Sequence, residues 1–193
     1  MKKGTIALIA LVAIILIWGV NLYNGFVNQD ENVKKTWANV EAQYQRRSDL
    51  IPNLVNTVKG YAKHEQETFT KVIEARAKAT QITIDPENLT PDKMKEYQQA
   101  QGEITSALGR LIAVGENYPE LKASENFSEL QAQLEGTENR INEARRNYND
   151  AVNEYNVKVR RFPANIIAGI CGFSQKTPFE AEAGAEKAPE VKF

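Results

Sequence analysis

The chain has 193 residues, with 25 acidic side chains against 24 basic ones, a single histidine and a single cysteine. Near neutrality leaves no electrostatic footprint for a nucleic-acid partner. His64 and Cys171 are too few for an internal disulfide framework or a Cys/His metal site, so no metal or cofactor is expected.

After residues 1–4, with Lys2 and Lys3, an unbroken uncharged run extends from Ile6 to Val20 and is followed by Leu22, Tyr23 and Phe26. Roughly 18 to 20 apolar residues are enough to cross a hydrocarbon core of about 30 Å. A cleaved signal peptide would have a shorter apolar part ending in small residues, whereas this one ends in Trp18, Asn21, Leu22 and Tyr23. Residues 5–23 therefore read as a retained anchor. Ile6, Leu11 and Ile15 belong in lipid, and Trp18 and Tyr23 near the interfaces. Lys2 and Lys3 favour a cytoplasmic N-terminus with the body outside, although Lys34 and Lys35 dilute the bias.

Beyond the anchor, over 24–162, apolar residues recur three and four apart, which predicts an all-α antiparallel bundle with coiled-coil-like seams. The first tract, about 28–80, runs through Val33, Trp37, Val40, Tyr44, Arg47, Ile51, Leu54 and Val58. It loosens after Glu65 and continues through Phe69, Val72 and Ala79. The second, about 91–118, includes Met94, Tyr97, Gln101, Ile104, Leu108, Leu111, Gly115 and Tyr118. The third, about 126–162, includes Phe127, Leu134, Thr137, Ile141, Tyr148, Tyr155 and Phe162. At 1.5 Å per residue these come to roughly 75, 42 and 54 Å, an elongated body. "TIDPENLTPD" offers Thr90 as N-cap with Pro91 in the first turn, and Asn126 with Glu129 forms a weak capping pair for the third helix.

Pro52 sets a fork. A proline inside a helix costs around 3 kcal/mol, which argues for a boundary with Ser48 or Asp49 as cap. The seam phase nevertheless passes from Tyr44 to Leu54 without a slip, which favours one helix kinked at Pro52. Three long helices would then leave Phe162 far from the membrane. A reversal at Pro52 would instead make a four-helix up-and-down bundle and bring Phe162 back to it.

Residues 163–179 are apolar and rich in small side chains, and 180–193 read as a flexible tail rich in Ala, Glu, Pro and Lys. Phe162, Pro163, Ile166, Ile167, Ile170 and Phe173 make a candidate interaction segment, serving as a cap on the bundle end or as a patch for a membrane or a second subunit.

Catalytic material is scarce. "HEQET" at His64 lacks the second histidine of a zinc-protease helix. Cys171 has no activating histidine, and carboxylates such as Glu41, Glu138 and Glu143 read as solvated helix faces. The chain is expected not to be an enzyme. Polar residues on apolar seams stand out instead: Arg47, Gln101 and Thr137, together with the asparagine-rich stretch "TENRINEARRNYNDAVNEYN". A buried Arg47 needs a carboxylate, with Glu135, Glu138 and Glu143 as candidates, unless it snorkels to water.

"YNGFVNQDENVKKTWANVEAQYQRRSDLIPNLVNTVKGYAKHE", "AVGENYPELKASENFSELQAQLEGTENRINEARRNYNDAVNEYN" and "FPANIIAGICGF" with Pro178 and Phe179 closely resemble the LemA family of bacterial membrane proteins. The resemblance implies one span, a helical bundle and no assigned catalytic activity. It also implies association with envelope proteins or membrane metalloproteases. Nothing resembles the nucleotide site of the unrelated sensor kinase that shares the name.

Two functions are expected from these observations. One is a self-associating, membrane-anchored scaffold or adaptor of the cell envelope, sited in the inner membrane as a homo-oligomer. The other is a sensory domain that binds a ligand near Arg47, Gln101 and Gly115 and relays the signal through the anchor.

Overall fold

The computed structural model describes residues 3–180. Regular structure among them is helical: α1 Lys3–Tyr61, α2 Gln66–Gln81, α3 Pro91–Glu116, the single turn α4 Pro119–Lys122, α5 Glu125–Arg160 and α6 Ala164–Ile170. The anchor run and the first bundle helix are one element of 59 residues, about 88 Å long.

The bundle is elongated, antiparallel and all-α, as its periodicity predicts. The helix expected over 28–80 is in fact two, because the chain reverses at Ala62–Glu65. Gly60 weakens the last turn of α1, Ala62 is small enough to be buried at the bend, and the Glu65 amide closes the turn on the Ala62 carbonyl at 3.2 Å. The sequence traces of this reversal are Gly60 and the loosening of phase after Glu65. Pro52 is neither a boundary nor the site of the reversal, and α1, α2, α3 and α5 run up, down, up and down. Lys158 near the end of α5 donates to the Gly25 carbonyl at 2.9 Å. Phe162 therefore lies at the anchor end and not at the far end that three helices would give it.

The tolerance of Pro52 has a visible cause. Proline has no N–H, so the Ser48 carbonyl four residues earlier loses its helical donor. Arg76 of α2 supplies one, its Nε donating to the Ser48 carbonyl at 3.0 Å and to the Ser48 hydroxyl at 3.1 Å. The orphaned acceptor becomes a docking point between α1 and α2. Arg76→Ala is expected to cost about 1–3 kcal/mol in urea denaturation. The cost should shrink in a Pro52→Ala background, where residue 52 again offers an N–H. Equal costs in both backgrounds would contradict this compensation.

Helix ends follow local chemistry only in part. Thr90 caps α3 as expected, its hydroxyl accepting from the Lys93 amide at 3.3 Å. The N-cap of α5 lies two residues earlier than expected, at Ser124 and not Asn126, with no side-chain hydrogen bond there. At Gly115 an added Cβ would lie 2.5 Å from the Phe127 Cζ. The glycine lets α3 close on a buried ring and does not open a pocket. Gly115→Ala is thus expected to lower stability by about 1–3 kcal/mol despite alanine's better helix propensity, read as a drop in the denaturation midpoint.

Apolar packing divides into two clusters along the bundle. The anchor-proximal cluster contains Trp37, Tyr44, Tyr97, Ile141, Tyr148 and Phe179, and the distal one Ile51, Leu54, Ile104, Leu111, Phe127 and Leu134. Between them, at one level on three helices, lie Arg47, Gln101 and Glu138.

Candidate functional site

Helical phase puts Arg47 on the inner face of α1 between Tyr44 and Ile51, and the residue is 1% exposed. Its Nη1 donates to Glu138 Oε1 at 2.7 Å and to the Thr105 hydroxyl at 2.9 Å. Nη2 donates to the Gln101 side chain at 2.6 Å and to the Gln101 carbonyl at 3.1 Å. The guanidinium also lies 5.1 Å from the Tyr44 ring centre, while its buried Nε has no hydrogen-bond partner. One cation thereby joins α1, α3 and α5. A charge desolvated this far is tolerable only with a carboxylate and further acceptors, and such layers specify register more than they stabilise. Two of the polar seam residues, Arg47 and Gln101, thus meet with Glu138, one of the candidate carboxylates. Thr137, though buried, donates to the Gln133 carbonyl of its own helix at 2.7 Å. Thr105 was missed, since an isolated threonine on a helix face carries no sequence signal.

Above this layer α3 and α5 do not close on each other. A groove of about 1190 Å³ opens there, with Arg47, Gln101 and Glu138 in its floor and Gln98, Asn142 and Arg145 among its walls. A smaller apolar hollow of about 390 Å³ continues it between Leu108, Ile112 and Leu134. Charged side chains line the groove as well: Lys78 pairs with Glu103 at 2.7 Å and Lys71 with Glu67, and Glu74, Arg110 and Arg145 complete the lining.

The anchor-proximal half of the same cleft is already filled. After α6 the chain turns at Gly172, whose φ of 80° suits glycine, and residues 174–180 climb along α5. Three side-chain amides hold them by the main chain. Asn156 donates to the Lys176 carbonyl at 2.8 Å and accepts from the Lys176 amide at 2.8 Å. Asn149 does the same at Phe179, at 3.1 and 2.8 Å. Gln98 of α3 brackets Glu180 from the other wall, at 3.0 and 3.4 Å. Seven helical residues rise about 10.5 Å and three extended residues span about 10 Å, so asparagines seven apart meet peptide residues three apart. Asn142 stands one further step along α5 and lines the part of the groove left open among the described residues.

Side chains fix this strap in place. Phe179 is buried, stacked on Trp37 with ring centres 5.7 Å apart, edge-on to Tyr148 at 5.4 Å, and covered by the Arg145 guanidinium at 4.9 Å. Tyr148 donates to the Thr177 carbonyl at 2.9 Å and Thr177 to the Leu89 carbonyl at 3.0 Å. Burial raises the Tyr148 hydroxyl well above its usual range and Tyr155 to about 12, so both stay neutral and Tyr148 serves as the donor to Thr177. Lys176 pairs with Asp30 at 2.6 Å, and Lys34 reaches the same carboxylate at 3.1 Å. Burial works to raise Asp30, but hydrogen bonds from Lys176 and Lys34 outweigh it and hold the carboxyl below its ordinary value. A depressed carboxylate contributes stability above its unfolded value, about 3.9, and loses it as the pH falls through the lower folded value. Hydrogen exchange across 174–180 should therefore quicken below about pH 4. Asp30→Asn should be faster at neutral pH and lose that acid step.

The anchor residues Ile6, Leu11, Ile15, Trp18 and Tyr23 are exposed along α1, and its apolar run is long enough to cross a membrane. The interaction segment divides. Phe162, Ile166 and Ile170 are exposed, while Ile167 and Phe173 pack against the anchor-proximal cluster. Pro163 follows a cis peptide bond and starts α6. Self-association through the seams finds no free surface, since the seam residues are spent inside the bundle. Of the tail expected over 180–193, only Glu180 falls among the described residues. Among the described residues no group of three or more His, Cys, Asp or Glu could hold a metal ion.

Residues 36–193 match the sequence profile of the LemA family. The chain is 28% identical to Magnetosome protein MamQ 2 of Paramagnetospirillum magneticum, over 96% of its own length and 73% of the relative's. It is 29% identical to Magnetosome protein MamQ of Magnetospirillum gryphiswaldense, over 94% and 72%. Protein LemA of Metamycoplasma hominis is 26% identical over 75% of the chain and 63% of that protein. None of these names states a catalytic activity. With the apolar helix they mark a membrane-associated helical protein.

Proposed function

The chain belongs to the LemA family, and on that premise we propose that it is a non-catalytic, membrane-anchored adaptor of the bacterial envelope that holds an extended peptide of a partner protein between α3 and α5. The observation that carries this reading is the strap. The cleft already holds one extended segment through main-chain brackets at Asn156, Asn149 and Gln98, a mode that reads backbone and tolerates varied sequence. From Arg145 to Leu134 the open part follows α5 for about 16 Å, enough for about five extended residues. Asn142 supplies the next bracket. Lys71 and Lys78 are already paired with Glu67 and Glu103, so charge does not select the guest, and the hollow at Leu108, Ile112 and Leu134 takes an apolar side chain at the far end.

In this reading residues 5–23 span the inner membrane once, with the N-terminus in the cytoplasm and the bundle outside. A membrane protease or another envelope protein provides the peptide. A homo-oligomer would have to form through the anchor or α6, the faces the bundle leaves uncovered. The test is photocrosslinking in intact membranes from benzoylphenylalanine at position 142, with position 129 on an exposed part of α5 as control. A heterologous adduct from 142 that is absent from 129 is the expected result. The same adducts from both positions, or only a species of twice the chain's mass, would overturn it.

One observation favours the sensory alternative. Arg47 in the groove floor and the anchor lie on the same unbroken helix, α1. Occupancy of the groove would then shift the anchor, and a spin label in residues 5–23 should report a change when a peptide binds.

A further inference from the structure

The outward face of α6 is built the wrong way round for a soluble protein. Ala164 and Ala168 point into the bundle, and Ile167 packs against the anchor-proximal cluster. Ile166 and Ile170, four apart on the opposite side, are exposed, Ile170 by 79%, and Phe162 just before the helix is 78% exposed. Small residues inside and large apolar ones outside invert the usual helix pattern. A contiguous exposed apolar patch of this kind calls for an occupant.

The position of α6 along α1 identifies that occupant. An added Cβ at Gly19 would lie 3.9 Å from Ile167 Cδ1, within the apolar run Ile6–Val20. Phe173 then packs on Tyr23 and Phe26, with ring centres 5.7 and 5.2 Å apart. Lys176 reaches Asp30, and Phe179 reaches Trp37. Contacts thus step from residue 19 to 37, and α6 is the point where the chain dips furthest toward the anchor. Charge along the neighbouring chain has one sign. From Tyr155 to Phe179 the chain carries Lys158, Arg160, Arg161 and Lys176 and no acidic residue. Lys158 and Lys176 are engaged on α1, while Arg160 and Arg161 are exposed beside the apolar patch.

We propose that the α5–α6 corner is a second, monotopic membrane contact, in which Phe162, Ile166 and Ile170 enter the headgroup–acyl boundary and Arg160 and Arg161 meet anionic lipid headgroups. Amphipathic segments with an apolar face and flanking cations bind the interface in this way. The contact rests on the reading of residues 5–23 as a span. It would fix the azimuth of the bundle on the bilayer.

The single cysteine makes the test direct. Full-length protein is spin-labelled at native Cys171, next to Ile170, and reconstituted in vesicles of phosphatidylcholine alone or with 30% phosphatidylglycerol as a chosen probe composition. Collision rates with oxygen and with a water-soluble nickel chelate then report depth. Two labels on a Cys171→Ser background, Leu11→Cys in the anchor and Ser128→Cys at the far end, calibrate the scale. The expected result is a Cys171 label at interfacial depth, deeper with phosphatidylglycerol, and moved toward water by Ile166→Asn with Ile170→Asn. A Cys171 label as nickel-accessible as the Ser128 label, with the Leu11 label shielded, would overturn the contact and leave the anchor standing. An accessible Leu11 label would overturn the anchor and this contact with it. A Cys171 depth identical in both lipid mixtures would remove the role of Arg160 and Arg161.

Discussion

Glu138→Ala is expected to destabilise the bundle by about 2–3 kcal/mol, whereas Arg47→Met should change stability by less than about 1 kcal/mol. The asymmetry follows from burial. Arg47 is 1% exposed and its charge has one carboxylate, with Gln101 and Thr105 as neutral acceptors. Removing Glu138 strands a cation between two apolar clusters. Removing Arg47 strands much less, because the Glu138 side chain is 34% exposed and can turn to water in the groove. The effect sits below the usual range for a broken buried pair because the same groove lets water approach the guanidinium. Urea denaturation of the detergent-solubilised protein, followed by helical circular dichroism, measures both variants. Equal costs would mean that the pair compensates no desolvated charge. The layer's other role, holding register between α1, α3 and α5, should show in Arg47→Met as altered interhelical distances without loss of helix.

Phe179→Ala is expected to cost about 3 kcal/mol, in the range for truncating a buried aromatic ring. Its ring is sandwiched by Trp37, Tyr148 and Arg145, and the cavity left behind opens onto the groove, so part of it will be hydrated. The loss should be local at first. Hydrogen exchange is expected to quicken over 174–180 while the amides of α1 and α5 stay protected. Uniform loss of protection across all helices would show that the strap is a member of the core and not an occupant of a cleft.

These two sites differ in how far they could be read before folding. Arg47 interrupts an otherwise apolar three-four seam, and Glu138 was among three carboxylates in reach, so the pair was visible in outline. Its third helix, through Gln101, was visible for the same reason, while Thr105 was not. The strap was nearly invisible. "SQKTPFE" has no period, and Asn149 and Asn156 read as an asparagine-rich surface because their partners are main-chain groups, which every residue carries. The seven-residue spacing of Asn142, Asn149 and Asn156 was present, but it gains meaning only once an extended chain lies beside the helix.

Topology shows the same limit. The seam phase through Pro52 correctly implied a continuous helix there, since Arg76 replaces the donor that proline lacks. Arg76 comes from a helix 24 residues away, and nothing local announces it. The reversal at Ala62–Glu65 carries no proline and only Gly60 as a breaker, so periodicity ran past it and misplaced Phe162. Burial of Ala62 and packing of α2 on α3, both tertiary effects, decide that turn.

Binding of a peptide in trans tests most directly the claim that the cleft between α3 and α5 reads extended chains by their backbone. Full-length Phe179→Ala protein, its own strap loosened, is titrated into a fluorescent peptide of sequence SQKTPFE, corresponding to residues 174–180, and anisotropy is recorded. Saturable binding, weakened about tenfold when Asn149→Ala removes one bracket worth about 1.4 kcal/mol, is the predicted result. No saturable binding, or binding indifferent to Asn149, would contradict it.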